Sequence, residues 1–305
     1  MPANPIKTLI ILLLILGGAI SCSPNPYAAT NRFYKRQART YAKTLLERPS
    51  RKQETQPRLH WVGTTNYNMR KPNYVIIHHT AQDSVEQTLR TFTLPRTSVS
   101  SHYVIAKNGT VYQMLNDYFR GWHAGAGKWG SNSDINSGSL GIELDNNGLE
   151  PFPQAQIDSL ISLLKVLKEK YDIPSENFLG HADIAPARKN DPSIFFPWKE
   201  LADNGFGIWY DDTPDIRNAI TKELIVEKDT IRLKETAPPV TTPQDNPVPD
   251  FNEQEALKII GYDISDPKAA RKAFKIHYIQ QNINDSLNGP EKAILYNIYK
   301  KFLHL

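Results

Sequence analysis

The chain has 305 residues, of which 40% are hydrophobic, and its formal net charge at pH 7 is +4. This composition supports a packed core without indicating several membrane spans, and the length exceeds that of one typical domain. The small net charge does not favour a nucleic-acid partner, the sequence has no Walker or dinucleotide-binding glycine loop, and its single cysteine excludes an intramolecular disulfide.

The N-terminus has the pattern of an export signal. Lys7 precedes an apolar run at 9–16, and mostly small residues then lead to Cys22. The run is shorter than the roughly 20 residues of a membrane-spanning helix. Residues 1–22 resemble a bacterial lipoprotein signal peptide, which implies lipidation at Cys22 and a lipid anchor in the cell envelope. We expect the anchor to face the periplasm, in the outer rather than the inner membrane; the alternative is an ordinary secretory signal with an incidental cysteine.

Residues 23–60 are predicted to form a basic tether or peripheral helix. Basic side chains dominate the charge of this segment: Arg32, Lys35, Arg36, Arg39, Lys43, Arg48, Arg51 and Lys52. Near a lipid anchor each could gain about 1 kcal/mol from anionic headgroups. A solvated charge run is the simpler interpretation.

The central part of the chain predicts an α/β fold, with a mixed central sheet flanked by helices. Strands are expected near 73–79, 101–107, 110–115 and 139–144, and helices near 84–93, 154–171 and 213–222. The clearest helix is the one at 154–171, because five apolar residues repeat there at helical spacing: Ile157, Leu160, Ile161, Leu164 and Leu167.

A turn-forming segment at 180–192 brings three chemically active groups together. It contains the imidazole of His181, the ammonium of Lys189 and the carboxylate of Asp191. Neutral histidine and aspartate are ordinary zinc ligands, and a catalytic zinc uses about three protein ligands. A third ligand must therefore come from elsewhere in the chain.

The best supplier is the apolar, β-branched run at 74–80, which predicts a buried strand with a polar end. Alternation places Ile76 and His78 on one face of this strand and His79 on the other. Only one of the two histidines is therefore expected to face a given metal, and we select His78.

Five blocks, in order over roughly residues 70–210, carry a resemblance to a known family. They are Val75-Ile76-Ile77-His78-His79-Thr80; Ser101-His102-Tyr103-Val104-Ile105 with Asn108-Gly109-Thr110-Val111-Tyr112; Gly121-Trp122-His123-Ala124-Gly125; Ser139-Leu140-Gly141-Ile142-Glu143-Leu144; and the segment 180–192. The set is similar to the zinc-dependent N-acetylmuramoyl-L-alanine amidases of the second amidase family, relatives of peptidoglycan recognition proteins and T7-type lysozyme.

The resemblance implies a role for each residue at a matching position. The ligands of one Zn²⁺ per chain fall on His78, His181 and Asp191, the catalytic carboxylate on Glu143 and the oxyanion-stabilising cation on Lys189. Zinc lowers the pKa of a bound water to about 7. A carboxylate can then move protons to the leaving amine, and a cation above the site stabilises the developing oxyanion by about 3 kcal/mol.

Four further residues are candidates for the substrate cleft: His79, His102, His123 and Trp122. Each histidine could instead orient a metal ligand or satisfy a local hydrogen bond, and the tryptophan could belong to the core.

Three polar residues near the predicted ligands stay outside the predicted site. Asp183 and Arg188 could form a structural salt bridge within the 180–192 segment. Ser193 stands where family members commonly have glycine, which could alter the floor of the cleft because glycine permits close backbone approach.

The predicted organisation continues beyond the tether with a zinc amidase domain at 61–230, a Pro-rich linker at 231–250 and a helical domain at 251–305. The linker composition favours an extended spacer, and three short amphipathic helices follow it. The helical domain resembles the peptidoglycan-binding-like domain of outer-membrane lipoprotein amidases. The alternative is a helical cap that only packs on the catalytic domain.

Together these features predict a monomeric zinc hydrolase that cuts the amide between N-acetylmuramic acid and L-alanine in peptidoglycan or muropeptides, in cell-wall turnover or recycling. The alternative is a non-catalytic peptidoglycan-recognition lipoprotein, which the complete ligand set disfavours. A zinc amidohydrolase with a different substrate is a third possibility.

Overall fold

The structure is a computed structural model that describes residues 25–46, 62, 64–66, 68–213, 216 and 251–304. The predicted signal peptide with Cys22, the 231–250 linker and most of the helix expected at 213–222 lie outside these residues. The chain divides into two compact units, Met1–Tyr67 and Asn68–Leu305.

The first unit contains one described helix, α1, at Ala28–Thr44. Its 17 residues include no buried side chain and no acid in the first turn. None of the helices in the described part of the chain has the length and apolarity needed to cross a membrane.

The second unit is built on a five-stranded mixed sheet. Its strands are β1 (Tyr74–His79), β2 (Tyr103–Ile105), β3 (Val111–Gln113), β4 (Ser139–Leu144) and β5 (Phe178–Gly180), in the order β3-β2-β4-β1-β5. Only the β2–β3 pair is antiparallel. The predicted fold class is therefore confirmed; β5, which has three residues, was not predicted.

Helices cover the sheet and form the C-terminal region. They are α2 (Val85–Thr93), α3 (Ile135–Gly138), α4 (Gln154–Tyr171), α5 (His181–Ile184), α6 (Trp198–Asp203), α7 (Glu253–Ile260), α8 (Pro267–Phe274) and α9 (Gly289–Phe302). The π-helical turn Lys275–Ile279 continues α8. The last three helices are preceded by the N-cap residues Asn252, Asp266 and Asn288, whose side chains accept hydrogen bonds from the first-turn backbone N–H groups.

Strand alternation divides the apolar residues between two cores. Val75 and Ile77 of β1 belong to the core that includes the buried stripe of α4. Ile76 of the same strand belongs to a second core, which also contains apolar residues of the C-terminal helices. The face of β1 that carries His78 is thus the face toward the C-terminal helices.

Candidate metal centre

The site begins at the carboxyl ends of the two central strands. β1 and β4 are parallel, and their register places His78 beside Glu143. Both residues alternate onto the Ile76 face of the sheet, so their side chains leave the sheet on one side. The other two side chains of the site, those of His181 and Asp191, come from the segment after β5, in which His181 is the first residue of α5.

Three ligand atoms converge at this point. His78 Nδ1 lies 3.0 Å from His181 Nδ1 and 3.0 Å from Asp191 Oδ2. His181 Nδ1 lies 3.1 Å from Asp191 Oδ2. All three side chains are buried. Among the described residues, this is the cluster of histidine and carboxylate groups arranged to hold a metal ion.

The hydrogen bonds behind His181 define its tautomer. Its Nε2 lies 3.1 Å from the carbonyl oxygen of Ala124, which can only accept, so Nε2 carries the proton. Arg188 also donates to this carbonyl, over 2.8 Å. In this tautomer the ring presents the lone pair of Nδ1 to the site.

A chain of hydrogen bonds gives the same result for His78. Ser139 Oγ donates to the carbonyl of Ile135 over 2.6 Å, so it accepts from His123 Nε2 at 3.3 Å. His123 Nδ1 is then an acceptor for His78 Nε2–H at 3.2 Å. His78, too, turns the lone pair of Nδ1 toward Asp191.

These tautomers make the cluster fit a cation. Two imidazole lone pairs and a carboxylate oxygen face one another with no proton between them, an arrangement that is repulsive unless a positive charge lies among them. Ligands bound tetrahedrally at about 2 Å from zinc lie about 3.3 Å apart, close to the separations of 3.0 to 3.1 Å seen here.

Burial and charge together set the protonation states of the cluster. Burial and the neighbouring His181 lower the pKa of His78 to about 4, and burial lowers the pKa of His123 well below its ordinary value. Burial opposes ionisation of Asp191, but hydrogen bonds and positive charge from protonated His181 and His78 outweigh burial and hold its pKa below the usual range; when both rings are neutral, a bound cation would supply that positive charge. Neutral histidines and an ionised aspartate are the forms that bind a metal.

Glu143 is the buried acid of the same site. Burial and the charge of Asp191 raise the pKa of Glu143 to about 8, while the positive charge of Lys189 opposes the rise. Lys189 also lowers the pKa of His78, so its charge acts on the carboxyl and on the ligand cluster alike. The arrangement combines a metal-binding cluster, a carboxyl that titrates near neutrality and a cation.

Residues 68–194 match the family model described as N-acetylmuramoyl-L-alanine amidase. The chain is 32% identical over 250 residues to N-acetylmuramoyl-L-alanine amidase AmiD of Escherichia coli K12, an alignment that covers 75% of this chain and 82% of AmiD. This chain belongs to that amidase family.

Two solved structures resemble the amidase along most of its length. E. coli AmiD in complex with anhydro-N-acetylmuramic acid-L-Ala-D-gamma-Glu-L-Lys is 29% identical, with a TM-score of 0.59 over 82% of this chain and 96% of AmiD. Pseudomonas aeruginosa AmpDh3 in complex with anhydromuramic pentapeptide is 26% identical, with a TM-score of 0.60 over 79% of this chain and 96% of AmpDh3. The family resemblance expected from the sequence is confirmed.

The four predicted cleft residues of the amidase lie in different environments. Trp122 is 54% exposed and is therefore available to a ligand. His79 is half-buried and accepts a hydrogen bond from the backbone N–H of Ser193 at 3.2 Å. His123 is buried and bonded to His78, in agreement with the alternative that it orients a ligand.

His102 does not face a cleft. It is fully buried, its Nε2 donates to the carbonyl of Phe119 over 3.0 Å, and its Nδ1 accepts from the N–H of Gly141 over 3.1 Å. Both ring nitrogens are used by the backbone, so this residue holds the interior of the fold and we propose no substrate contact for it.

Contacts around the ligand segment differ from those expected for Asp183 and Arg188. Arg188 donates to the carbonyls of Ala124 and Ala126, whereas Asp183 accepts from Tyr262 and His277 of the C-terminal region. The salt bridge considered between them is not formed. Ser193 has no positive φ, so serine fits the backbone at the position where the family commonly has glycine.

The groups that set the two tautomers could not be identified from the sequence. The carbonyl of Ala124 and the hydroxyl of Ser139 lie within two of the motif blocks, but no pattern in the sequence assigns them a partner. The sequence shows only a glycine at position 141, and the structure gives the reason: a Cβ there would lie 2.4 Å from the His123 ring, so the ring packs where only glycine leaves space.

Proposed function

We propose that this chain is a zinc-dependent hydrolase of the amide bond between N-acetylmuramic acid and L-alanine, acting on peptidoglycan or muropeptides. The observation that carries the proposal is the convergence of His78, His181 and Asp191 with their ligand atoms within 3.1 Å of one another. Family membership supplies the reaction class, and the buried carboxyl beside the cluster supplies the proton chemistry.

The proposed metal is one Zn²⁺ per chain, held by these three residues. When bound, zinc provides a water molecule with a pKa near 7 and polarises the scissile carbonyl. The donor set of two imidazoles and one carboxylate is typical of a catalytic zinc, which leaves a coordination position open.

The residues of the chain account for the proton transfers. Glu143 in its carboxylate form takes a proton from the attacking water onto a carboxylate oxygen and then delivers it to the nitrogen of the departing L-alanine. A pKa near neutrality suits both transfers, because the group must accept and release a proton in one cycle. The ammonium of Lys189 stabilises negative charge on the carbonyl oxygen.

The proposed substrates are muropeptides with an anhydro-N-acetylmuramic acid end, in cell-wall recycling. Support comes from the bound molecules named for the AmiD and AmpDh3 structures, which are anhydromuramyl peptides. Exposed Trp122 offers an aromatic surface for a sugar or peptide.

The proposed location is the bacterial cell envelope, through a lipid on Cys22. The support is the sequence pattern of residues 1–22. Labelled palmitate should be incorporated into the parent and not into Cys22→Ala, and the variant should leave the membrane fraction. Membrane retention of an unlabelled Cys22→Ala protein would contradict this assignment.

The activity test is mass spectrometry of purified anhydro-muropeptides after incubation with the zinc-loaded protein. The parent should release peptides with a free L-alanine N-terminus, and Glu143→Gln and Asp191→Ala should not. The matched control is Asp203→Ala, which removes an exposed carboxylate paired with Lys199 and should match the parent. A parent that binds zinc and muropeptide without releasing peptide would favour a recognition protein.

A further inference from the structure

Two C-terminal side chains contact the segment that carries two of the three proposed metal ligands. We propose that Tyr262 and His277 are positioning residues for the metal centre, and that they act on His181 and Asp191 through the buried carboxylate of Asp183. The inference rests on the metal role proposed above. It assigns the C-terminal helices a part in building the active site, whether or not they also bind peptidoglycan.

The contact is a fully buried carboxylate with three donors. Asp183 is 1% exposed. Its Oδ2 accepts from the backbone N–H of Gly180 at 2.7 Å and from His277 Nδ1 at 2.8 Å, and its Oδ1 accepts from the Tyr262 hydroxyl at 2.9 Å. Two of these three donors therefore come from the C-terminal region.

The remaining donor, the backbone N–H of Gly180, connects the carboxylate to the metal ligands. Gly180 immediately precedes His181, so Asp183 holds the turn on which this ligand is mounted. The next residue, Ala182, donates its N–H to the carbonyl of Asp191 over 2.7 Å. A displacement of Asp183 would therefore be transmitted to the backbone of both ligands.

The carboxylate depends on its C-terminal partners because it has no access to water. A buried charge that loses its donors keeps the full desolvation cost. Without Tyr262 and His277, the N–H of Gly180 is the one donor to Asp183 left among the residues that the structure describes. Rotation of the carboxylate toward solvent would then release that N–H and loosen the first turn of α5.

The side chains around the hydrogen bonds of Asp183 are closely packed. The His277 ring stacks on Trp198 with centroids 3.8 Å apart and planes 13° from parallel. A Cβ on Gly180 would lie 3.1 Å from the ring of Trp198 and 2.9 Å from Cδ of Pro192. The same stack that fixes His277 thus closes the space around the turn that carries His181.

Zinc affinity is the property to measure, in the otherwise intact chain, by competition with a chromophoric chelator. Tyr262→Phe removes one donor and leaves the ring in place. His277→Leu and His277→Asn both remove the stacked ring, but asparagine keeps an N–H donor near the former position of Nδ1. Tyr278→Phe is the matched control. Tyr278 is a buried neighbour of His277 in the same helical turn, and among the described residues its hydroxyl makes no hydrogen bond to Asp183.

We expect Tyr262→Phe and His277→Leu to bind zinc roughly tenfold more weakly, a loss typical of residues that orient a metal ligand. His277→Asn should recover most of the affinity, and Tyr278→Phe should match the parent. The absorption spectrum of the cobalt-substituted protein should change only in the two weakened variants. Thermal unfolding of the metal-free proteins identifies any variant that merely fails to fold.

Equal zinc affinity and identical cobalt spectra in the parent and all four variants would overturn the positioning role and leave the proposed function intact. A folded parent that bound no zinc would overturn the proposed function, and the positioning role with it. Weak binding by His277→Asn equal to that of His277→Leu would show that ring packing, rather than the hydrogen bond to Asp183, is what matters at position 277.

Discussion

Replacement of Glu143 by glutamine should change how the stability of the metal-free protein depends on pH. The folded-state pKa of Glu143 is raised from an ordinary 4.5 to about 8, chiefly by burial. Between these values the folded protein binds a proton that the unfolded chain has released, so the free energy of unfolding falls as pH rises. The contribution of Glu143 is therefore most favourable below pH 4.5 and is lost by pH 8.

The size of the effect follows from the pKa difference. Each tenfold change in proton affinity corresponds to about 1.4 kcal/mol. The free energy of unfolding of the parent, compared with that of Glu143→Gln, should fall below its low-pH value by about 1 kcal/mol at pH 5, about 3 kcal/mol at pH 7 and about 5 kcal/mol at pH 9. Glutamine has the same shape and no charge, so the variant should become the more stable protein as pH rises.

Urea unfolding in the presence of chelator, at pH 5, 7 and 9, measures this difference. Glu150→Gln is the control, because it removes a partly exposed carboxylate that is paired with Lys107, and it should show no comparable pH-dependent gain. Bound zinc should shrink the difference at Glu143, since a nearby cation favours the ionised carboxyl. Parallel stability curves for the parent and Glu143→Gln from pH 5 to 9 would refute the assignment of a desolvated carboxyl.

Three further substitutions test other parts of the structure. Gly180→Ala should weaken zinc binding and lower the melting temperature, because its Cβ would lie 2.9 Å from a proline ring; unchanged zinc affinity would contradict the tight fit. Lys275→Met should cost about 3–5 kcal/mol in urea unfolding because it leaves Glu291 buried without its 2.7 Å partner, and adding Glu291→Gln should recover most of that loss. Tyr103→Phe should cost about 1–3 kcal/mol because it removes a 2.6 Å hydrogen bond to buried Asp117; a loss confined to catalysis would argue against this structural role.

The sequence predicted the groups of the site better than their surroundings. Alternation along β1 predicted that only one of His78 and His79 would face the metal, since the period of two is a local property of a strand, and the family resemblance placed the ligand at His78. Segment order and family resemblance were enough to add His181, Asp191 and Glu143. The adjacency of Glu143 and His78 depends on strand pairing, which joins distant parts of the chain and leaves no local pattern.

Missed features share this long-range character. β5 has three residues, too few for an alternation pattern to appear. The partners of Asp183 lie 79 and 94 residues away, and the nearby Arg188 suggested an ion pair that the folded chain does not form. The chain from His78 through His123 to Ser139 likewise requires knowledge of which strand lies beside which.

The central claim is that amide hydrolysis depends on one zinc ion held by His78, His181 and Asp191. The most direct measurement is titration of the stripped protein with zinc, with bound metal and the release of L-alanine-terminated peptide from an anhydro-muropeptide followed together. Activity should rise in proportion to bound zinc and reach its plateau at one ion per chain, and Asp191→Ala should show neither tight binding nor turnover. Full turnover by the stripped parent in excess chelator, or by Asp191→Ala, would contradict the account.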